Sequence, residues 1–274
     1  MSLTGTRVFS ATAIDTAVDQ RRAALIGYLP VGFPTLAASV DAAKALVDGG
    51  VDVLELGLPY SDPLMDGPVI QHAVDAALRG GTRTRDVLTA VEQVAAAGVP
   101  VLVMTYWNPV DRYGVQRFAT DLASAGGAGL ITPDLIPDEG ADWIAASQAA
   151  DLERIFLVAP SSTTQRLAST VAAGRGWTYA ASTMGVTGTR STVGAAAAGL
   201  VERTRAAGAH RVCVGLGVST RAQAAEVAGY ADGVIVGTAF VRALADAADL
   251  GGGLKAARAL AEELSAGVRE GHRG

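Results

Sequence analysis

Val51-Asp52-Val53-Leu54-Glu55-Leu56-Gly57-Leu58-Pro59-Tyr60-Ser61-Asp62-Pro63-Leu64-Met65-Asp66-Gly67-Pro68 is a mostly apolar run that breaks into a loop stiffened by three prolines. The run has the continuous hydrophobicity of a strand buried on both faces, as in a parallel sheet. Within it Glu55 is out of place. A carboxylate in such a strand is costly unless it is paired, neutralised or used. A salt-bridged structural acid at a strand end and a functional acid are both open readings of this segment. Asp62 and Asp66 follow in the loop, which is longer than most connections between a strand and the next helix.

Outward from this stretch, the same grammar repeats. Apolar runs at Ala24–Leu29, Val51–Leu56, Val99–Thr105, Ala128–Thr132, Arg154–Ala159, Trp177–Ala181, Arg211–Gly215 and Asp232–Val236 each give way to Gly, Pro or Asp and then to a helical pattern. Val87, Leu88, Val91, Val94 and Ala95 share one helical face in Arg85–Ala97, with Gly98 as the stop. Val40, Ala43, Leu46 and Val47 form a similar stripe ended by Gly49-Gly50. Thr220 and Gln223 have the spacing of a capping box for a helix through Ala228. No linker interrupts the 274 residues. Alternation of this kind predicts an α/β fold, a closed (β/α)8 TIM barrel with a parallel sheet. An open doubly wound sheet is the alternative, but Pro30-Val31-Gly32-Phe33-Pro34 does not supply the dinucleotide fingerprint such sheets often carry after their first strand.

In a barrel, the strand C-terminal ends and the loops after them form the active face. Glu55 is then expected at the end of the second strand, with Asp62 and Asp66 in the loop after it. Gly215-Leu216-Gly217 closes the seventh strand, and Gly237-Thr238 closes the eighth before a short helical pattern, Ala239–Ala243. Glycines that let backbone N–H groups approach, a helix N-terminus and a hydroxyl together suit a phosphate. The hydroxyl- and glycine-rich segment 182–194 after the sixth strand reads either as a mobile lid or as a surface loop.

Composition narrows the chemistry. A net charge of −5 and the lack of a basic run argue against nucleic acid as a partner. The N-terminus lacks the pattern of a secretory signal, and no apolar segment is long enough to span a bilayer, so a cytoplasmic protein without a membrane partner is expected. The single cysteine, Cys213, rules out an internal disulfide and reads as a small core hydrophobe. Neither lysine, Lys44 or Lys255, lies on a predicted strand, which disfavours Schiff-base chemistry. His72, His210 and His272 lack metal-ligand spacing, so no metal is expected. What remains is carboxylate acid/base catalysis on a phosphorylated substrate, with Glu55 buried and Asp66 in a solvated loop, so that the two divide the roles.

The segment Glu55 to Pro68 resembles the signature of the tryptophan synthase alpha subunit. The likeness extends to Gly32-Phe33-Pro34, Tyr106-Trp107-Asn108, Gly174-Arg175-Gly176-Trp177-Thr178-Tyr179, Gly185-Val186-Thr187-Gly188, Gly215-Leu216-Gly217 and Gly237-Thr238. The resemblance implies one barrel domain over 1–274, with an N-terminal extension and helix over 1–22, an active-site loop over 57–67 and a lid over 182–194. It further implies retro-aldol cleavage of indole-3-glycerol phosphate to indole and glyceraldehyde 3-phosphate. Glu55 would be the general acid/base, Asp66 the partner of the indole N–H, and Tyr179 a neighbour of the reacting centre. Tyr28 and Leu216 would wall the indole site, and Gly188, Gly217, Gly237 and Thr238 would hold the phosphate. Thr187 would bond to Asp66 from the lid, and Asp62 would communicate with a beta subunit. That partner would form an alpha2beta2 heterotetramer and carry the PLP, with no cofactor in this chain. Met65, Leu216, Thr183-Met184 and Thr238 depart from the commoner residues at their positions. Two other readings fit parts of the pattern: a subunit acting chiefly to activate its partner, and a different phosphate-binding barrel such as an isomerase or epimerase.

Overall fold

The computed structural model describes residues 7–181, 194–215 and 217–271. These form eight strands and twelve α-helices. Helix α1 (Ser10–Asp19) precedes β1 (Ala24–Pro30), and α2 (Leu36–Asp48) leads to β2 (Val53–Gly57). After α3 (Pro68–Arg79) and α4 (Thr84–Ala95) come β3 (Val101–Met104), α5 (Trp107–Tyr113), α6 (Val115–Ser124) and β4 (Gly129–Thr132). Next are α7 (Ala141–Ala149), β5 (Glu153–Val158), α8 (Thr164–Ala173), β6 (Thr178–Ala181) and α9 (Ala195–Ala206). The chain ends with β7 (Val212–Gly215), α10 (Arg221–Ala228), β8 (Gly233–Val236), α11 (Thr238–Ala245) and α12 (Leu250–Glu270).

All neighbouring strands are parallel, and β1 pairs with both β2 and β8, which closes the barrel in sequence order. Every expected apolar run overlaps one strand, with ends that agree to within two residues; β1 and β2 run one residue further, to Pro30 and Gly57, and β5 starts one residue earlier, at Glu153. The reason is visible in the packing, because each strand is covered on two sides. Ile26, Val53, Leu102, Ile131, Ile155, Trp177, Cys213 and Ile235 fill the barrel interior. Their neighbours in sequence, including Leu25, Leu54, Val101, Val103, Phe156, Val212 and Val234, join the shell between sheet and helices, with Phe118, Trp143 and Phe240. Strand alternation therefore sends successive apolar residues into two different cores.

Helix α1 adds Ile14 and Ala17 to the interior core and seals the N-terminal end of the barrel. Its first turn rests on Glu153, whose carboxylate accepts from the Ser10 and Ala11 N–H groups at 3.0 and 2.9 Å and from the Ser10 hydroxyl at 2.5 Å. The Trp177 indole N–H donates to the same hydroxyl at 2.9 Å. Asp52 at the same end accepts two bonds from Arg22 and one from the Leu25 N–H. Asp232 accepts from the Val212 N–H and from Arg205.

Helix boundaries follow local chemistry. The helix expected over Arg85–Ala97 starts one residue earlier and ends at Ala95, its first turn fixed by the Asp86 carboxylate accepting from the Arg83 N–H at 2.8 Å. At α10 half of the capping box is present. The Thr220 hydroxyl accepts from the Gln223 N–H, whereas the Gln223 side chain bonds to the Ser219 N–H at 2.9 Å and not to that of Thr220. The expected lid lies outside the described residues except for Gly194, and with it Thr183, Met184, Thr187 and Gly188; Leu216 lies outside them too. No helix among the described residues is long and apolar enough to cross a membrane.

Candidate active site

Tyr28, Glu55 and Leu102 are register partners on β1, β2 and β3, and β-strand alternation turns Glu55 towards the interior between the Val53 and Gly57 levels. Glu55 sits two residues before the strand end, deeper than the sequence suggests. Its relative exposure is 0%, and among the described residues neither carboxyl oxygen has a hydrogen-bond partner. Loss of hydration, with no donor or cation to offset it, pushes the carboxyl up to about 8. At neutral pH it is therefore mainly the protonated acid.

Two tyrosines flank this acid. The Tyr28 phenol is raised well above its ordinary range first by burial and then by the charges of Asp66 and Glu55. The Tyr179 phenol is raised by burial and then by Glu55 and Cys213. Both rings occupy space that a glycine leaves open on the next strand, two residues beyond the register partner. A Cβ on Gly57 would come within 2.8 Å of Tyr28 ring carbons, and a Cβ on Gly215 within 2.8 Å of those of Tyr179. Trp177 stacks under Tyr179, with ring centroids 5.8 Å apart.

Asp66 closes the loop between β2 and α3, immediately before Gly67 and Pro68 start the helix. Proline at the first helical position needs no N–H partner and so ends the loop cleanly. The sequence suggests a solvated carboxylate here, and the structure corrects this. Asp66 is partly buried, and desolvation raises its carboxyl, opposed by a hydrogen bond from Tyr106. The Tyr106 hydroxyl donates to Asp66 Oδ1 at 3.1 Å and accepts from the Met65 N–H at 2.9 Å. Gln71 Nε2 holds the Asp66 carbonyl at 2.7 Å. Tyr106 received no role from sequence reasoning. The available signal was an aromatic residue at the end of the third strand, where the active face begins.

Asp62 stands apart. It is exposed on the loop tip, accepts from the Ser61 hydroxyl at 2.5 Å, and lies beside Leu64, which is 73% exposed.

The other wall of the mouth carries the glycines. Gly217 follows β7 with φ of +69°, a left-handed conformation that favours glycine. Gly237 precedes α11, and Thr238, the first residue of that helix, is buried. A Cβ on Gly237 would meet Tyr28 Cδ1 at 3.1 Å, so the α11 N-terminus adjoins the same cavity wall as Glu55's neighbour. Free N–H groups at a helix start, with the helix dipole behind them, favour an anion. Glu55, Tyr28, Tyr179 and Asp66 thus converge at the C-terminal mouth with Gly237 and Thr238 at its edge. Among the described residues no three His, Cys, Asp or Glu side chains form a metal-binding group.

The chain as a whole has close counterparts. A family model described as tryptophan synthase alpha chain matches residues 14–269. The tryptophan synthase alpha chain of Mycobacterium avium (strain 104) is 63% identical over 252 residues, 92% of this chain and 91% of that one. That of Thermobifida fusca (strain YX) is 61% identical over 251 residues, covering 90% and 93%. A solved structure of Mycobacterium tuberculosis tryptophan synthase superposes with a TM-score of 0.90 at 58% identity, covering 96% of this chain and 99% of that one. A carboxyl acid isolated in a barrel mouth, a second acid on the following loop and likeness along the whole barrel lead to one conclusion: this chain belongs to the tryptophan synthase alpha chain family.

Proposed function

We propose that the mouth of this barrel performs the lyase reaction of its family, cleavage of indole-3-glycerol phosphate, with Glu55 as proton donor and acceptor and Asp66 as the anchor of the indole N–H. The observation that carries the assignment is Glu55: fully buried at the open end, without a hydrogen-bond partner among the described residues, and held in its acid form.

A protonated carboxyl can deliver its proton to indole C3. That carbon becomes tetrahedral, and the ring becomes an iminium-like cation with its charge centred on nitrogen. Asp66, ionised, offsets that charge at the N–H edge. The bond from C3 to the glycerol C3′ carbon then breaks, and its electron pair restores the indole double bond. The C3′ hydroxyl loses its proton as its oxygen becomes the aldehyde of glyceraldehyde 3-phosphate. The carboxylate left at Glu55 takes that proton, so the acid is regenerated and no net proton is consumed. The protonated ring serves as the electron sink, so the step is complete with carboxylates alone.

Binding is divided in the same way. Tyr28 walls the ring and Tyr179 borders the reacting centre, both beside Glu55. The phosphate lies against Gly217, Gly237 and Thr238, where the α11 N-terminus supports it. Leu216, Thr187 and Gly188 complete the wall, the lid and the phosphate site in this reading. We further propose that indole passes to a PLP-containing beta chain in an alpha2beta2 assembly in the cytoplasm. The projecting tip with Asp62 and Leu64 suits contact with that chain.

The test is direct. Glu55→Gln and Asp66→Asn are assayed for indole release from indole-3-glycerol phosphate, alone and with a beta chain. Folded variants with parental rates would remove these residues from the mechanism.

A further inference from the structure

We infer that Tyr106 is a positioning residue for the lyase reaction, holding the Asp66 carboxylate and the end of the β2–α3 loop in one fixed arrangement. The inference rests on the role of Asp66 proposed above, and it concerns a residue to which that reading gives no function.

Hydrogen-bond valence fixes the direction of both bonds at Tyr106 Oη. A tyrosine hydroxyl has one proton to donate and lone pairs to accept with. The Met65 N–H can only donate, and it points to Tyr106 Oη at 2.9 Å. The single phenol proton is thereby left for Asp66 Oδ1, 3.1 Å away. One oxygen atom thus sets two adjacent loop residues, the backbone of Met65 and the side chain of Asp66. The phenol itself is poorly placed to ionise, because burial and the neighbouring Asp66 charge raise it. It remains a donor throughout the pH range of the reaction.

Tyr106 is in turn rigidly mounted. It is 5% exposed and forms the N-terminal boundary of α5, two residues after the C-terminal end of β3. The next residue, Trp107, donates its N–H to both oxygens of Asp134 at 2.9 and 3.1 Å, which satisfies the start of α5. The Tyr106 ring packs on Tyr60 with centroids 5.4 Å apart, and the Tyr60 hydroxyl accepts from Asn108 Nδ2 at 3.3 Å. Both ends of the β2–α3 loop are therefore fastened to one short element, α5, through a pair of aromatic rings. Asp66 is only partly buried and is attached to a loop. Without such a fixture its carboxylate would sample rotamers, and a catalytic charge misplaced by about 1 Å loses most of its effect.

The physical consequence is specific. Desolvation favours protonated Asp66, and the Tyr106 hydrogen bond favours the ionised form. Removing the hydroxyl should do two things at once: free the carboxylate and make it harder to ionise.

Tyr106→Phe keeps the ring on Tyr60 and deletes only the hydroxyl. In the full chain assayed with its beta chain, kcat should fall about ten- to a hundredfold, the range for a hydrogen bond to a charged group. The acidic limb of the pH–rate profile should move to higher pH, and a carboxyl NMR titration of Asp66, read without turnover, should move the same way. In an Asp66→Asn background the Tyr106→Phe change should cost little more. An unmoved acidic limb and titration, or an equal loss in that background, overturns the inference while the role of Asp66 stands. Parental turnover by Asp66→Asn alone overturns the role of Asp66, and the inference with it.

Discussion

The two ends of this barrel treat buried carboxylates in opposite ways. At the closed N-terminal end, Glu153 accepts three hydrogen bonds from the first turn of α1, and Asp52 and Asp232 each accept from a strand N–H and an arginine. At the open C-terminal end Glu55 is as deeply buried and has no hydrogen-bond partner among the described residues. The contrast separates two uses of one functional group. A carboxylate with its lone pairs filled by donors holds elements together: burial still raises the Glu153 carboxyl, but the bonds from Ser10 and Ala11 oppose that rise. A carboxyl shielded from bulk solvent and left without protein donors is costly to the fold, and its proton is available to a ligand.

The largest test of this contrast is the activity of Glu55→Gln. Indole release should drop by about three orders of magnitude, roughly 4 kcal/mol of transition-state stabilisation, in a protein that remains folded. A small loss would mean that the two ends do not differ in kind.

The same variant sharpens the comparison through stability. Glu55 has a carboxyl raised from 4.5 to about 8 in the native state. Below about pH 4.5 it is protonated in both states and contributes no pH dependence. Between there and about pH 8 the unfolded chain releases the proton and the native chain keeps it, so stability falls as pH rises; above that the loss is complete. Urea unfolding of parent and Glu55→Gln should therefore diverge across this window in favour of the variant, by on the order of 4 kcal/mol at its upper end. Parallel curves would show that Glu55 is solvated or paired after all.

At the other end the sign reverses. Glu153→Ala leaves the N–H groups of Ser10 and Ala11 and the Ser10 hydroxyl without their acceptor. Stability should fall by about 3 kcal/mol, with turnover per folded molecule nearly unchanged. Loss of turnover without loss of stability would place the chemistry at the wrong end. The smallest effect is expected at the tyrosine cradles. Gly57→Ala and Gly215→Ala should each cost about 1–3 kcal/mol by overpacking. Each should also lower kcat severalfold by displacing Tyr28 or Tyr179 from beside Glu55.

Much of this contrast can be read in the sequence, for identifiable reasons. The strands are legible because both faces are buried, so their apolar runs are unbroken. Glu55 is legible as an interruption of such a run. Asp66 is named correctly as to place, but its environment is not, because the hydroxyl that restrains it belongs to Tyr106, forty residues away in the chain. Glu153 escapes notice altogether. At the edge of an apolar run, next to Asp151 and Arg154, it looks like part of a solvated turn, and only the seating of α1 buries it. Gln223 shows the same limit at short range: its capping spacing is right, yet the side chain selects the Ser219 N–H. Long-range pairing of polar groups leaves no periodic trace, whereas apolar burial does.

The seating of α1 also bears on the order in which the molecule can be completed during synthesis. Among the described helices this one emerges from the ribosome before the others, yet its side-chain anchors lie far downstream: Glu153 for Ser10, Trp177 for the same serine, and Arg211 for Asp15. Until more than half of the chain has emerged, the segment has no acid to sit on and no indole to brace it. Its docking is a late event imposed by topology, and the floor of the cavity closes only when most of the staves around it are already in place.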